Sequence, residues 1–281
     1  MSGTLFVVAT PIGNLEDITL RALRVLRESH IIAAEDTRRT ARLLAHHAIT
    51  TPMLSFHAHN TRSRTPQILS RLEAGERVAL VTDAGTPGIS DPGIDLVRAC
   101  VDRGIRVDVV PGASAPLTAA IASGFSLEPL TIFGFVPYRA KDRTAWLTEA
   151  AKVRHAFTFF EAPHRIQKTL EAAAKLFGNR PIMLGRELTK LHQEFIRADT
   201  GALIIGRMPT IKGEFTVVVG PVVTAGNENA EAPDEAIALE FGRMAQSGLG
   251  RRASLSTVAR KYGRSSKEIY AIVERAKKSV E

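Results

Sequence analysis

Short apolar runs alternate along this chain with longer stretches in which apolar residues recur every three or four positions. A brief apolar run suits a strand buried on both faces, and the longer spacing suits a helix with one buried stripe. Leu5–Ala9 predicts a first strand, and Thr19–Glu28 a helix with Leu20, Leu23 and Leu26 in step. Ile31–Ala34, Arg77–Thr82 and Arg106–Val110 predict further strands, and Arg64–Ala74, Asp91–Arg103 and Ser114–Ser123 predict helices. Asp91-Pro92 offers a capping residue followed by proline at the first helical position. After a turn-rich stretch, Gly124–Pro129, the rhythm restarts. Strands are expected at Leu130–Phe135, Ala156–Phe160, Ile182–Gly185 and Phe215–Val219, with helices near Ala140–Ala151 and at Arg165–Phe177. The whole reads as α/β.

The pattern divides the chain into an N-terminal α/β domain (1–124), a second α/β domain (125–222), a linker (223–234) and a helical tail (235–281). The linker stretch Thr224–Asp234 has no apolar period and is rich in Ala, Gly, Asn, Glu and Pro. In the tail, Ser254–Lys261, a turn at Tyr262-Gly263-Arg264 and Ser265–Lys278 resemble a helix-turn-helix. Ser265 with Glu268 has the spacing of a capping box.

Composition narrows the class. The 281 residues carry a formal charge of +8 with 44% hydrophobic residues, enough apolar material for a full core and a surplus that favours polyanions. From residue 235 on, ten Lys or Arg face five acids. The one cysteine, Cys100, lies in an apolar run and is expected to be a buried thiol in a reducing compartment. Leu5–Ala9 has no basic segment before it and is too short for a signal peptide, and no apolar run reaches the roughly 18 residues of a membrane span. The expectation is a cytoplasmic protein without a membrane partner.

Ligands of α/β sheets bind outside the carboxyl ends of the strands. Three predicted loops in that position are rich in Gly and Pro: Thr10–Asn14, Asp83–Gly93 and Pro111–Ala115. Glycine admits close approach to the backbone, and proline stiffens it. The chain has neither a phosphate-binding G-x-x-x-x-G-K-[ST] nor a G-x-G-x-x-G fingerprint, and no Cys/His set has zinc spacing. No metal is expected.

These loops resemble those of the tetrapyrrole methylase family, S-adenosylmethionine (SAM)-dependent methyltransferases distinct from the Rossmann type. Within that family the match is to the branch acting on ribosomal small-subunit RNA as cytidine 2′-O-methyltransferases. The motifs that carry it are Ala9–Ile18, Ala34-Glu35-Asp36-Thr37-Arg38, Asp83–Gly93, Pro111–Ala115, Phe160–Arg165, Arg186-Glu187-Leu188-Thr189-Lys190 and Lys212–Phe215. They run in order through roughly residues 3–222, and the tail matches more loosely.

The resemblance implies a two-domain tetrapyrrole-methylase-like fold with the active cleft between its domains and a small C-terminal helical domain. It implies SAM as methyl donor, small-subunit ribosomal RNA as partner and a homodimer. Pro11, Gly13, Asp83, Gly85, Thr86, Pro87, Gly88, Ile89, Ser114 and Ala115 would lie along the cofactor. Phe160 and Met183 would flank its adenine, with core packing as the other reading of both. A general base for the hydroxyl is sought among Glu161, Glu187, Asp36 and Lys190, the last if burial lowers its pKa. Glu161 beside Arg165 and Glu187 beside Lys190 read equally well as ion pairs. Arg38, Arg39, Arg139, Arg165 and Arg186 are the expected RNA contacts. Alternatives left open are a tetrapyrrole or protein (diphthine-type) acceptor, and a DNA-binding regulator acting through the tail. A helix-turn-helix pattern alone does not establish DNA as a partner, and none is expected.

Overall fold

Residues that read as apolar runs form the centre of two sheets. In the computed structural model, residues 2–88, 93–199, 204, 212–222, 233–246, 250–262 and 264–278 are described. β1 (Thr4–Val8), β2 (Ile31–Ala34), β3 (Met53–Ser55), β4 (Arg77–Val81) and β5 (Arg106–Val110) form a parallel sheet in the order β3-β2-β4-β1-β5. β6 (Leu130–Phe135), β7 (Ala156–Glu161), β8 (Ile182–Arg186), β9 (Glu194–Ala198) and β10 (Phe215–Val219) form a mixed sheet in the order β6-β7-β10-β8-β9. Among its described strands, only β6 and β7 pair in parallel.

Helices cover both faces of the first sheet. α3 (Thr61–Glu73) and α4 (Ile94–Asp102) place Ile68, Leu72, Leu96 and Cys100 against Leu5, Val78 and Leu80. α1 (Leu20–Glu28) and α2 (Thr37–His46) close the other face around Val8, Ile32, Ala79 and Val81. The α1 stripe differs from the expected one: Ala22, Val25 and Leu26 are buried, while Leu20, at the first position, is 87% exposed. The observed α4 begins at Ile94; the Asp91-Pro92 start lies outside the described residues. α2, β3 and β9 had no counterpart in the sequence reading.

The second sheet packs α6 (Ala140–Lys152) and α7 (Pro163–Phe177) on one face, around Leu147, Phe157, Phe159, Ile166 and Leu170. Its other face receives α5 (Ala115–Ser123), which follows β5 of the first sheet. Ala119, with Ile12 and Leu188, meets Met183 and Val218 there. Small alanines let this helix sit close to the strands, so the two sheets share one apolar seam.

Residues Met1–Val222 form one compact unit and Val223–Glu281 another. The second holds α8 (Asp234–Gln246), α9 (Arg251–Tyr262) and α10 (Ser266–Lys278) around Ile237, Phe241, Val258, Ile269 and Val273. The capping box ahead of α10 forms: the Glu268 carboxylate accepts from the Ser265 N–H at 2.6 Å, and Ser265 Oγ accepts from the Glu268 N–H at 3.3 Å. Part of the basic surplus is paired internally, as Arg264 and Arg275 each meet Asp234 at 3.0 Å. Most of the expected linker and Gly263 lie outside the described residues. No described helix is long and apolar enough to cross a membrane.

Candidate active site

The three Gly/Pro loops are far apart in sequence and adjacent in space, because β4, β1 and β5 are neighbours in the sheet. Thr10 and Gly85 exchange backbone hydrogen bonds of 2.9 and 3.0 Å, which ties the first loop to the second. Gly85 and Gly88 have φ of +80° and +88°, a region that a side chain disfavours.

A cavity of about 380 Å³ opens over these loops, within the usual range for a small-molecule site. Ile12, Glu35, Arg39, Asp83–Thr86 and Ser114–Pro116 line it from the first sheet's side. Phe135, Phe160–Pro163, Leu188 and Glu214–Thr216 line it from the second's.

One corner of the cavity is acidic. Glu35 accepts from the Thr82 hydroxyl at 2.7 Å and from the Asp83 N–H at 3.3 Å. Asp83 in turn accepts from the Asp36 N–H at 3.0 Å and lies 3.4 Å from Arg39. Burial, and then the neighbouring Glu35 charge, hold the Asp83 carboxyl above its ordinary value. Asp36 itself caps α2, accepting from the Arg38 N–H at 2.8 Å and the Arg39 N–H at 3.4 Å. The Arg38 bond is the main reason its pKa falls below the ordinary value, which makes it a weak base.

The remaining expected bases are engaged. Glu161 is 2% exposed and accepts from Thr169 at 2.6 Å, from the Ala162 N–H at 2.8 Å and from Arg165 at 3.2 Å. Arg165 also donates to the carbonyls of Val136 and Pro137, at 2.5 and 2.9 Å, so the pair fixes the chain as it leaves β6. Glu187 accepts from Lys190 at 3.1 Å and from the Glu214 N–H at 2.8 Å. Burial alone would raise the Glu187 pKa, but these donors outweigh it and the pKa lies below ordinary. Lys190 qualifies as a base only if burial lowers its pKa. Burial does act that way, but bonds to Glu214 and Glu187 outweigh it, so the pKa is raised and the amine held charged.

The structure brings Arg39, Asp83, Gly85, Thr86, Ser114, Ala115, Phe160 and Glu161 together on the cavity wall. Pro11, Gly13, Pro87, Gly88, Asp36, Glu187 and Lys190 do not line it, and Ile89 lies outside the described residues. Met183 is fully buried in the seam with Val218 and Ala119, as its core reading has it. Gly13 makes room for protein: a Cβ there would stand 2.7 Å from the Leu188 carbonyl oxygen. Of the expected RNA contacts, Arg38 and Arg139 are exposed. Arg186 is bound to Glu194 at 2.6 Å and to the Lys212 carbonyl at 2.7 Å, and Arg165 is bound as described. Glu35, Phe135, Glu214 and Thr216 were not among the expected site residues. Glu35 and Glu214 sat inside quoted motifs, whereas nothing in the local sequence marked Phe135. Among the described residues, no group of three or more His, Cys, Asp or Glu is arranged to hold a metal ion.

Two α/β layers closing on a small-molecule cavity at the carboxyl ends of parallel strands define the class. The chain matches the family model of the tetrapyrrole (corrin/porphyrin) methylases over residues 4–204, and it belongs to that family. Its curated relatives include ribosomal RNA small subunit methyltransferase I of Thermotoga maritima, 46% identical over 77% of this chain and 98% of that one. The enzymes of the same name from Halalkalibacterium halodurans and Streptococcus pyogenes serotype M1 are 44% and 38% identical. They cover 83% and 96% of this chain, and 79% and 94% of their own. Among solved structures, the methyltransferase CobJ aligns with a TM-score of 0.60 at 21% identity, over 79% of this chain and 96% of that one. Uroporphyrin-III C-methyltransferase of Thermus thermophilus, complexed with S-adenyl homocysteine, aligns at 0.54 and 18%, over 79% and 98%. At such identities the two structures speak for the fold.

Proposed function

We propose that this protein transfers the methyl group of SAM to the ribose 2′-hydroxyl of a cytidine in small-subunit ribosomal RNA. The observation that carries the reading is the cavity itself, shared by both sheets in a chain whose relatives bear a ribosomal RNA methyltransferase name. Its lining fits a ligand that is part aromatic and part cationic. Ile12, Phe160 and Leu188 offer apolar and aromatic wall, Gly85 and Thr86 offer backbone, and Glu35 and Asp83 offer negative charge. The bound donor supplies an already activated methyl carbon. The chain's own tasks are to align a hydroxyl with it, exclude water and take the hydroxyl's proton.

Asp83 is the proton acceptor this arrangement favours. It lines the cavity, and its raised pKa makes it a better base than Asp36 or Glu187, whose pKa values are lowered. Glu161 and Lys190 act as anchors, holding the β6 exit and the turn around Leu188. Two further readings accompany this one. The exposed Val109, Leu117 and Ile121, on edge strand β5 and helix α5, support a homodimer. The buried, unpaired Cys100 supports a cytoplasmic setting.

The test uses small ribosomal subunits from cells lacking this gene, the purified protein and methyl-labelled SAM. Label at one alkali-resistant position of the RNA is the expected result, since a 2′-O-methyl group blocks cleavage at its own nucleotide. SAM binding without label in RNA would remove the acceptor from the proposal and leave the cofactor.

A further inference from the structure

An irregularity in the edge strand β6 points to where the acceptor base sits. Ile132 pairs with Thr158, and the next registered pair is Phe135 with Phe160. Three steps on β6 therefore match two on β7, a register shift of the bulge kind. Its effect on side-chain direction follows from the period-two alternation of strands. Phe133 faces the helix-covered core, with its ring 5.2 Å from Trp146 and 5.5 Å from Phe157. Strict alternation would send Phe135 to that same core. The bulge instead turns it to the cavity face, beside Phe160, with ring centroids 5.2 Å apart and planes inclined by 40°. There Phe135 is 61% exposed while still lining the cavity. An aromatic ring taken from an available core and left bare at a cavity mouth is a surface waiting for a flat partner.

The chain that follows has the chemistry of a polynucleotide track. Tyr138 is 78% exposed, with the Arg165 guanidinium 5.6 Å from its ring centre. Arg139, Lys141 and Arg143 come next at the start of α6, exposed or half-exposed. Aromatic faces followed by cations suit splayed bases and their phosphates. A 2′-hydroxyl in folded RNA reaches an enclosed methyl donor only if its nucleotide leaves the stack, and a ring at the entrance replaces the stacking that is lost.

Resting on the ribose-methylation reading above, we propose that Phe135 is the stacking platform for the base of the acceptor nucleotide, with Tyr138 and the α6 cations carrying the adjoining strand. Phe135 is thus a substrate-positioning residue on the exposed side of the cavity, with Phe160 behind it.

The test compares the full-length wild type with Phe135→Ala, Phe135→Leu and Phe135→Tyr. Each is assayed for SAM affinity by calorimetry, and for kcat and KM on unmethylated small subunits. Phe135→Ala and Phe135→Leu should raise KM for the subunit roughly 5- to 150-fold, the equivalent of one base–aromatic stack. Phe135→Tyr should restore it, and SAM affinity should stay level across the series. A parallel loss of SAM affinity would assign the ring to the cofactor and overturn the proposal. So would a Phe135→Ala enzyme with unchanged KM. A wild type that binds SAM yet methylates no RNA would instead bring down the reading on which the proposal stands.

Discussion

Gly13→Ala adds one methyl group at the point where the first Gly/Pro loop meets the turn after β8. The added carbon would lie 2.6 Å from Lys190 Cγ and 2.7 Å from both the Leu188 carbonyl oxygen and Thr189 Oγ1. Ordinary contact begins near 3.4 Å, so the turn must retreat by about 0.7 Å. It has little slack. Thr189 Oγ1 accepts from the Asn14 N–H at 3.0 Å, and Glu187 and Thr189 already hold positive φ of 48° and 64°. Lys190 is tied to Glu187 and Glu214. Overpacking of this kind costs about 1–3 kcal/mol, which for a unit of this size lowers Tm by roughly 2–12 °C. Leu188 lines the cavity, so its displacement also misplaces one wall. A shift approaching 1 Å costs up to about 100-fold in rate, and a fall of about 10- to 100-fold in kcat/KM for SAM is expected. The assay pairs a thermal melt with single-turnover methyl transfer. Gly104→Ala is the control: its φ of +64° carries strain, but nothing lies within 4 Å of the new carbon. It should lose stability alone. A Gly13→Ala protein as stable and as active as wild type would refute the idea that this glycine lets the two sheets interlock.

Three further outcomes follow from the same geometry. Asp83 binds its proton more tightly folded than unfolded, so it favours the fold at low pH and opposes it as pH rises through its folded pKa. Asp83→Asn should therefore raise Tm at pH 7 while lowering methyl transfer, and the gain should vanish near the unfolded value of 3.8. Arg180, 3% exposed, donates to the carbonyls of Gly220, Val153 and His155 at 2.7, 2.5 and 2.6 Å, and burial pushes its pKa down to about 10. Arg180→Met strands three acceptors and should cost at least about 3 kcal/mol by denaturant titration, with Arg180→Lys only partly better. Ser265→Ala opens the capping box of α10 and should cost about 1 kcal/mol, read as faster amide exchange in that helix.

What was legible in the sequence is what each segment decides for itself. Strands β1, β2, β4, β7, β8 and β10 are short, apolar and central, and periodicity finds them. β3 has three half-buried residues, and β9 mixes Glu194 and Arg197 with Phe195 and Ile196 at a sheet edge, so neither has a pattern to find. α2 did carry a signal, Asp36 as cap and the spacing of Thr40, Leu43 and Leu44, which the run of arginines obscured. Among site residues, the Gly/Pro loops declare themselves because glycine answers a local demand. Phe135 does not, because its direction depends on a register shift against β7 that no local pattern encodes. Gly13 marks the boundary between the two cases. A glycine in a loop announces that something approaches the backbone closely, and the sequence reading assigned that approach to a ligand. In the fold the space belongs to Leu188, Thr189 and Lys190, 175 or more residues along the chain. The same glycine then serves the cavity at one remove, by setting how closely the second sheet's wall can come to the first.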